Sequence, residues 1–174
     1  MAETPFASDE AGYISPLTRG SVLHRCLEEY TKAGAYDIDR IFAEYPEIMA
    51  LGHDARHNVT VAIESIVSPV LGDQDSAWIF ERRDRSYSEL PFLYRKGQSL
   101  VSGIIDRVVI REGIGSVVDY KSILIENDEA LKSWKEHYRP QIKVYCEAAK
   151  EIFGLERVDG YLLFLDSNRL ELIV

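Results

Sequence analysis

Between Ser102 and Ser122 the chain reads SGIIDRVVIREGIGSVVDYKS, two apolar runs joined by a glycine-bearing turn. Asp106, Asp119 and Lys121 stand inside those runs. Charges in such a setting cost stability unless something uses them. Alternate side chains of a strand point to opposite faces, so Asp119 and Lys121, two apart, share a face with Val117, while Val118 and Tyr120 take the other. If the runs pair antiparallel about a turn near Gly113, Asp106 comes almost opposite Asp119. Two carboxylates brought close repel unless a cation lies between them. Oxygen donors of that kind suit Mg²⁺ or Mn²⁺, and a lysine beside them can stabilise charge on a phosphate. On spacing alone, a salt bridge between Lys121 and an acid accounts for the same residues.

Those residues need elements to hold them. SPLTRGSVLHRCLEEYTKAG predicts a helix capped by Ser15 or Thr18, with Pro16 early and Gly34 after its end. Its apolar stripe is Leu23, Cys26, Leu27 and Tyr30, and His24 borders it. DIDRIFAEYPEIMALG predicts a helical segment broken near Pro46, and DARHNVTVAIESIVSP a helix stopped by Pro69. AWIFERRDRS fits a short helix or an edge strand. SYSELPFLYRK, SLVSGIIDRVVIRE and GSVVDYKSI predict three strands with turns near Gly97 and at Gly113–Gly115. A long helix from about Asn127 to Phe153 buries Leu131, Trp134, Tyr138, Ile142, Tyr145 and Ala149, and Gly154 ends it. Gln141 and Tyr145, four apart, lie on one face of it. VDGYLLFLD and RLELIV close the chain as strands. This order predicts an α/β fold, a central mixed β-sheet flanked by helices, with an N-terminal helical segment.

The whole chain sets further bounds. Its 174 residues suit one domain, expected at 15–174 after a flexible segment at 1–14. The polar, acidic start does not read as a signal or transit peptide, and no apolar run approaches a membrane span, so a cytoplasmic setting is expected. Cys26 and Cys146 sit in apolar helical patterns and read as buried thiols. Two cysteines cannot supply a four-cysteine iron–sulfur or zinc site. The net charge is −9, and residues 1–75 carry most of it, with 13 acidic against 5 basic residues. Such a chain is a poor stand-alone ligand for nucleic acid, because affinity comes mostly from neutralising phosphates.

GSVLHRCLEE, SELPF, SGIIDRV, VVDYKS and QIKVYCEA occur in that order, from Gly20 to Ala148. Together they resemble the RecB-type nuclease family of the PD-(D/E)XK superfamily, whose motifs are G-x-x-x-H-x-x-L-E, E-x-P-F, G-x-I-D, D-[YF]-K-[TS] and Q-x-x-x-Y. The resemblance implies a restriction-endonuclease-like core and a Mg²⁺- or Mn²⁺-dependent deoxyribonuclease without an iron–sulfur cluster. By the same resemblance His24, Asp106, Asp119 and the backbone carbonyl of Tyr120 bind metal, and Lys121 is catalytic with Asp106 and Asp119. Gln141, Tyr145 and Glu89 are supporting residues. The family also implies DNA as substrate and a partner helicase, as a domain or a separate chain, in double-strand break repair. A free-standing defence or mobile-element nuclease, and a non-catalytic module binding DNA ends or a helicase, are the alternatives.

Overall fold

The computed structural model describes residues 14–82 and 85–174. The expected flexible start lies outside them except for Ile14, which is buried. The chain forms two compact units, one ending at Asp73 and the other running from Gln74 to Val174.

The first unit is helical. Helix α1 spans Pro16–Ala33, α2 Ile38–Phe42, α3 Pro46–Met49 and α4 His53–Gly72. The Ser15 hydroxyl accepts the Thr18 N–H at 3.1 Å and starts α1. Gly34, left-handed at φ 81°, donates its N–H to the Tyr30 carbonyl and ends it. Leu23, Cys26 and Leu27 of α1 are buried, as are Val59, Ala62, Ile63 and Ile66 of α4, and the two helices pack together. Pro69 does not stop α4, against the sequence expectation; the helix runs on to Gly72. Pro69 stands in the last turn, where a proline removes only one intrahelical bond, and the buried Val67 and Val70 hold that turn in place.

The second unit is the sheet. After α5 (Ala77–Phe80) come β1 (Ser86–Lys96), β2 (Ser99–Arg111), β3 (Ile114–Lys121), α6 (Asp128–Phe153), β4 (Arg157–Phe164), a 3₁₀ turn at Leu165–Ser167 and β5 (Arg169–Leu172). The strands lie in the order β1-β2-β3-β4-β5. Only β3 and β4 are parallel, joined across α6; the other neighbours are antiparallel. The mixed sheet flanked by helices is the architecture expected from the sequence. The β2–β3 turn is tighter than the two glycines suggest. Its central residues are Glu112 (φ 50°) and Gly113 (φ 82°), the paired positive φ of a two-residue type I′ hairpin. Gly115 already belongs to β3.

Helix α6 begins where the Asn127 side chain accepts the Ala130 N–H at 2.8 Å, and ends at Gly154. Its buried residues Leu131, Ile142, Cys146, Ala148 and Ala149 cover Val117 of β3 and Leu162 and Phe164 of β4. The approach is closest at Gly160 of β4, where a Cβ would stand 2.7 Å from Cys146 Sγ and press on Ile142 Cγ2. Among the described residues no helix is long and apolar enough to cross a membrane.

Two outcomes follow from this packing. Gly160→Ala lowers stability by about 1–3 kcal/mol, because α6 must move off β4; the midpoint of urea unfolding reads this. Burial pushes the thiols of Cys26 and Cys146 up to about 12. The fold thus favours the neutral thiol. The stabilisation is complete below the unfolded value of about 8.5 and is lost as pH rises from there towards the folded value. Iodoacetamide at pH 8 therefore labels neither cysteine in the native protein and both in urea, as counted by mass spectrometry.

Candidate active site

The strand registers bring three acids into one row. Ser88 faces Arg107 and Leu90 faces Ile105 across β1 and β2, so Glu89 falls opposite Asp106. Arg107 faces Val118 across β2 and β3, so the next position sets Asp106 across from Asp119. Carboxylate oxygens of Glu89 and Asp106 lie within 4.8 Å of each other. Asp106 is 8% exposed and Asp119 3%.

At this row the ladder is interrupted. The β1–β2 register runs from Ser88–Arg107 to Leu90–Ile105 and steps past Glu89 and Asp106. Glu89 has φ 48°, a left-handed conformation that ordinarily costs a non-glycine residue about 1 kcal/mol or more. The Tyr120 N–H donates to the Asp106 carboxylate at 2.6 Å, a charge-assisted bond. Side-chain alternation also switches here. On β1, Tyr87 and then Leu90, Phe92 and Tyr94 pack on the core beneath α6; on β2, Val108 and Ile110 do so on one side of the row and Ile105 and Val101 on the other. Strict period-two alternation therefore fails at Glu89 and Asp106.

On β3 the alternation holds as expected. Val117 joins the core beneath α6. Lys121 Nζ lies 2.6 Å from the Asp119 carboxylate and 4.5 Å from the centre of the Tyr138 ring. The Tyr120 side chain is buried on the other face, stacked on Phe80 of α5 with centroids 6.3 Å apart.

The helical motif is joined to the strands through aromatic packing. Phe92 faces Gly103, and a Cβ at Gly103 would stand 2.8 Å from the Phe92 ring and 3.6 Å from that of Tyr145. Phe92 and Tyr145 meet edge to face at 5.6 Å. Gln141 Nε2 donates to the Tyr145 hydroxyl at 2.9 Å. Burial raises the Tyr145 phenol above its ordinary value and the nearby Asp119 charge adds to this, while the Gln141 bond opposes both. His24 belongs to the first unit, half-buried on α1, and Glu28 one turn on is committed to Arg25 and Lys32.

Sequence reasoning missed Arg107. It is 2% exposed, and its guanidinium donates to the Ile79 carbonyl (2.7 Å), the Ser88 hydroxyl (3.0 Å) and the Glu81 carbonyl (2.9 Å). Burial holds its pKa below the usual arginine value. It ties the segment around α5 to the sheet, on the face away from the acids. A second charge in the run IIDRVVI was the available signal.

The donors of the row are oxygens, the set that a hard divalent cation takes. The model of the PD-(D/E)XK nuclease superfamily matches residues 6–171, and the chain belongs to that superfamily. It is similar to a subunit of the ATP-dependent helicase/nuclease of Streptococcus mutans, 25% identical over 166 residues, covering 91% of this chain and 13% of that protein. The protein of the same name from Lactococcus lactis subsp. lactis is 27% identical over 155 residues, covering 84% and 12%. The chain thus spans about 13% of the length of such relatives. Among solved structures, a candidate exonuclease from Eubacterium rectale has the same fold, with a TM-score of 0.60 at 15% identity, over 96% of this chain and 60% of that one.

Arg107→Met removes a donor that two carbonyls and a hydroxyl share. It costs about 3 kcal/mol, read as a lower midpoint in chemical denaturation.

Proposed function

We propose that this chain is a Mg²⁺- or Mn²⁺-dependent deoxyribonuclease that hydrolyses phosphodiester bonds as the nuclease part of a helicase–nuclease. It would act in the cytoplasm in double-strand break repair and recombination. The observation that supports this most is the row Glu89–Asp106–Asp119 with the Lys121 ammonium held beside it.

Asp106 and Asp119 are the proposed metal-binding carboxylates, and Glu89 supports them. The motif resemblance adds His24 and the backbone carbonyl of Tyr120 as ligands. When bound, a divalent cation supplies charge neutralisation at the scissile phosphate and lowers the pKa of the attacking water. Lys121 orients that water or donates to the phosphate oxygens as negative charge grows on them. Its partner Asp119 keeps the ammonium aimed at the row. The water oxygen forms the new bond to phosphorus, the bond from phosphorus to the 3′ oxygen breaks, and that oxygen takes a proton. The products are a 5′-phosphate and a 3′-hydroxyl. Gln141 and Tyr145 position the α6 side of the site and do not react.

The net charge of −9 supports a helicase partner, since another domain would have to bring the DNA. The similarity to helicase/nuclease proteins supports it too.

Lys121→Ala and Asp119→Ala each lower cleavage of labelled single-stranded DNA by about 10²–10³-fold or more, with an unchanged circular dichroism spectrum. Chelation of divalent ions abolishes cutting by the parent protein. His24→Ala weakens Mn²⁺ binding by calorimetric titration. Undiminished cutting by Lys121→Ala would remove the proposed site. Absence of both cleavage and Mn²⁺ binding in the parent protein would favour the non-catalytic module.

A further inference from the structure

The stripe of α6 that carries Gln141 and Tyr145 continues towards the helix start through Tyr138 and Trp134, at steps of three and four residues. Trp134 and Tyr138 are stacked, with centroids 5.8 Å apart and planes 15° apart. His137 stands edge-on to both rings, at 5.8 Å and 4.7 Å. Trp134 and Tyr138 are half-buried and His137 is exposed. Together they form an aromatic ledge with solvent access.

The ledge begins where the acid row ends. Lys121 Nζ lies 2.6 Å from Asp119 and 4.5 Å from the Tyr138 ring centre, so one ammonium links the carboxylates to the aromatics. One turn of helix separates Tyr138 from Trp134, about 6 Å. A strand whose phosphate lies at Lys121 has its next base within reach of that step. Duplex bases are already stacked on one another and offer no free π-face, whereas single-stranded bases stack on aromatic side chains. The positive charge at Lys121 matches the phosphates of such a strand.

We propose that the Trp134–Tyr138 ledge, with His137 at its rim, stacks a nucleobase of single-stranded DNA next to the phosphate held at Lys121. The inference rests on the nuclease reading for the place of that phosphate, and it makes single-stranded DNA the substrate.

Trp78→Phe leaves Trp134 as the only tryptophan of the chain. In that background, with Ca²⁺ as the added ion, a thymidine oligonucleotide quenches the Trp134 emission. An abasic strand of equal length and charge does not. Trp134→Leu weakens binding of the thymidine oligonucleotide about tenfold and leaves abasic-strand binding unchanged, while Trp134→Phe restores most of the loss. Equal quenching by both strands overturns the proposal. So does a folded Trp134→Leu protein that binds the thymidine strand as tightly as its parent. Cleavage is read separately with Mg²⁺ or Mn²⁺. Quenching without cleavage upholds the stacking site and sinks the nuclease reading; cleavage without quenching does the reverse.

Discussion

A carboxylate replaces a backbone acceptor at the centre of the sheet. Asp106 takes the Tyr120 N–H at 2.6 Å, beside the last β2–β3 ladder pair. A buried N–H must find a partner, and supplying it from a side chain frees β2 from strict ladder geometry. The consequence is the switch in alternation at Glu89 and Asp106. It lets β2 bury an unbroken run from Ile105 to Ile110. Val108 and Ile110 face α6, and Arg107 faces α5. The same bond fixes the Asp106 carboxylate against β3 beside Asp119.

Clustering the acids carries an electrostatic cost, and where the arginine points decides what that cost is for. Arg107 follows Asp106 directly, yet its guanidinium turns to the other face and is satisfied by two carbonyls and a hydroxyl, all neutral. Turned the other way, it would place a second positive charge in the row. Lys121 is on the acid side but pairs with Asp119, at one edge of the row. Lys121 thus brings positive charge to the row from β3, and Arg107 brings none from β2. The positive φ of Glu89 adds local strain at the same point, the kind found at functional sites.

Much of this was legible in the sequence, because local chemistry dictates it. Ser15, Gly34, Asn127 and Gly154 mark helix ends by caps that act within a turn, and those ends stand where expected. The shared face of Lys121 and Asp119 followed from period two, and the facing of Asp106 and Asp119 followed from one hairpin. What escaped was non-local. Pro69 looks like a stop until Val70 is seen buried beyond it. The switch at Glu89 needs β1 and β2 to be paired before it exists, and no run of letters shows a positive φ at a glutamate. Arg107 went unnoticed, because its three acceptors come from residues 19 to 28 positions away.

The strand and helix halves of the site are held together by apolar contact more than by polar bonds. Gly103 leaves room for the Phe92 ring, the ring meets Tyr145, and Tyr145 takes the Gln141 hydrogen bond. Further across the same face of the sheet, Gly160 lets α6 settle directly on β4. Helix height over β3 is therefore set by two positions that lack a Cβ. That height places Tyr138 under the Lys121 ammonium. An ammonium over a ring face is attracted by the ring quadrupole, which holds the Lys121 side chain in place. Close packing at two glycines thus controls the direction of the Lys121 ammonium, and through it the acid row and the aromatic stripe adjoin.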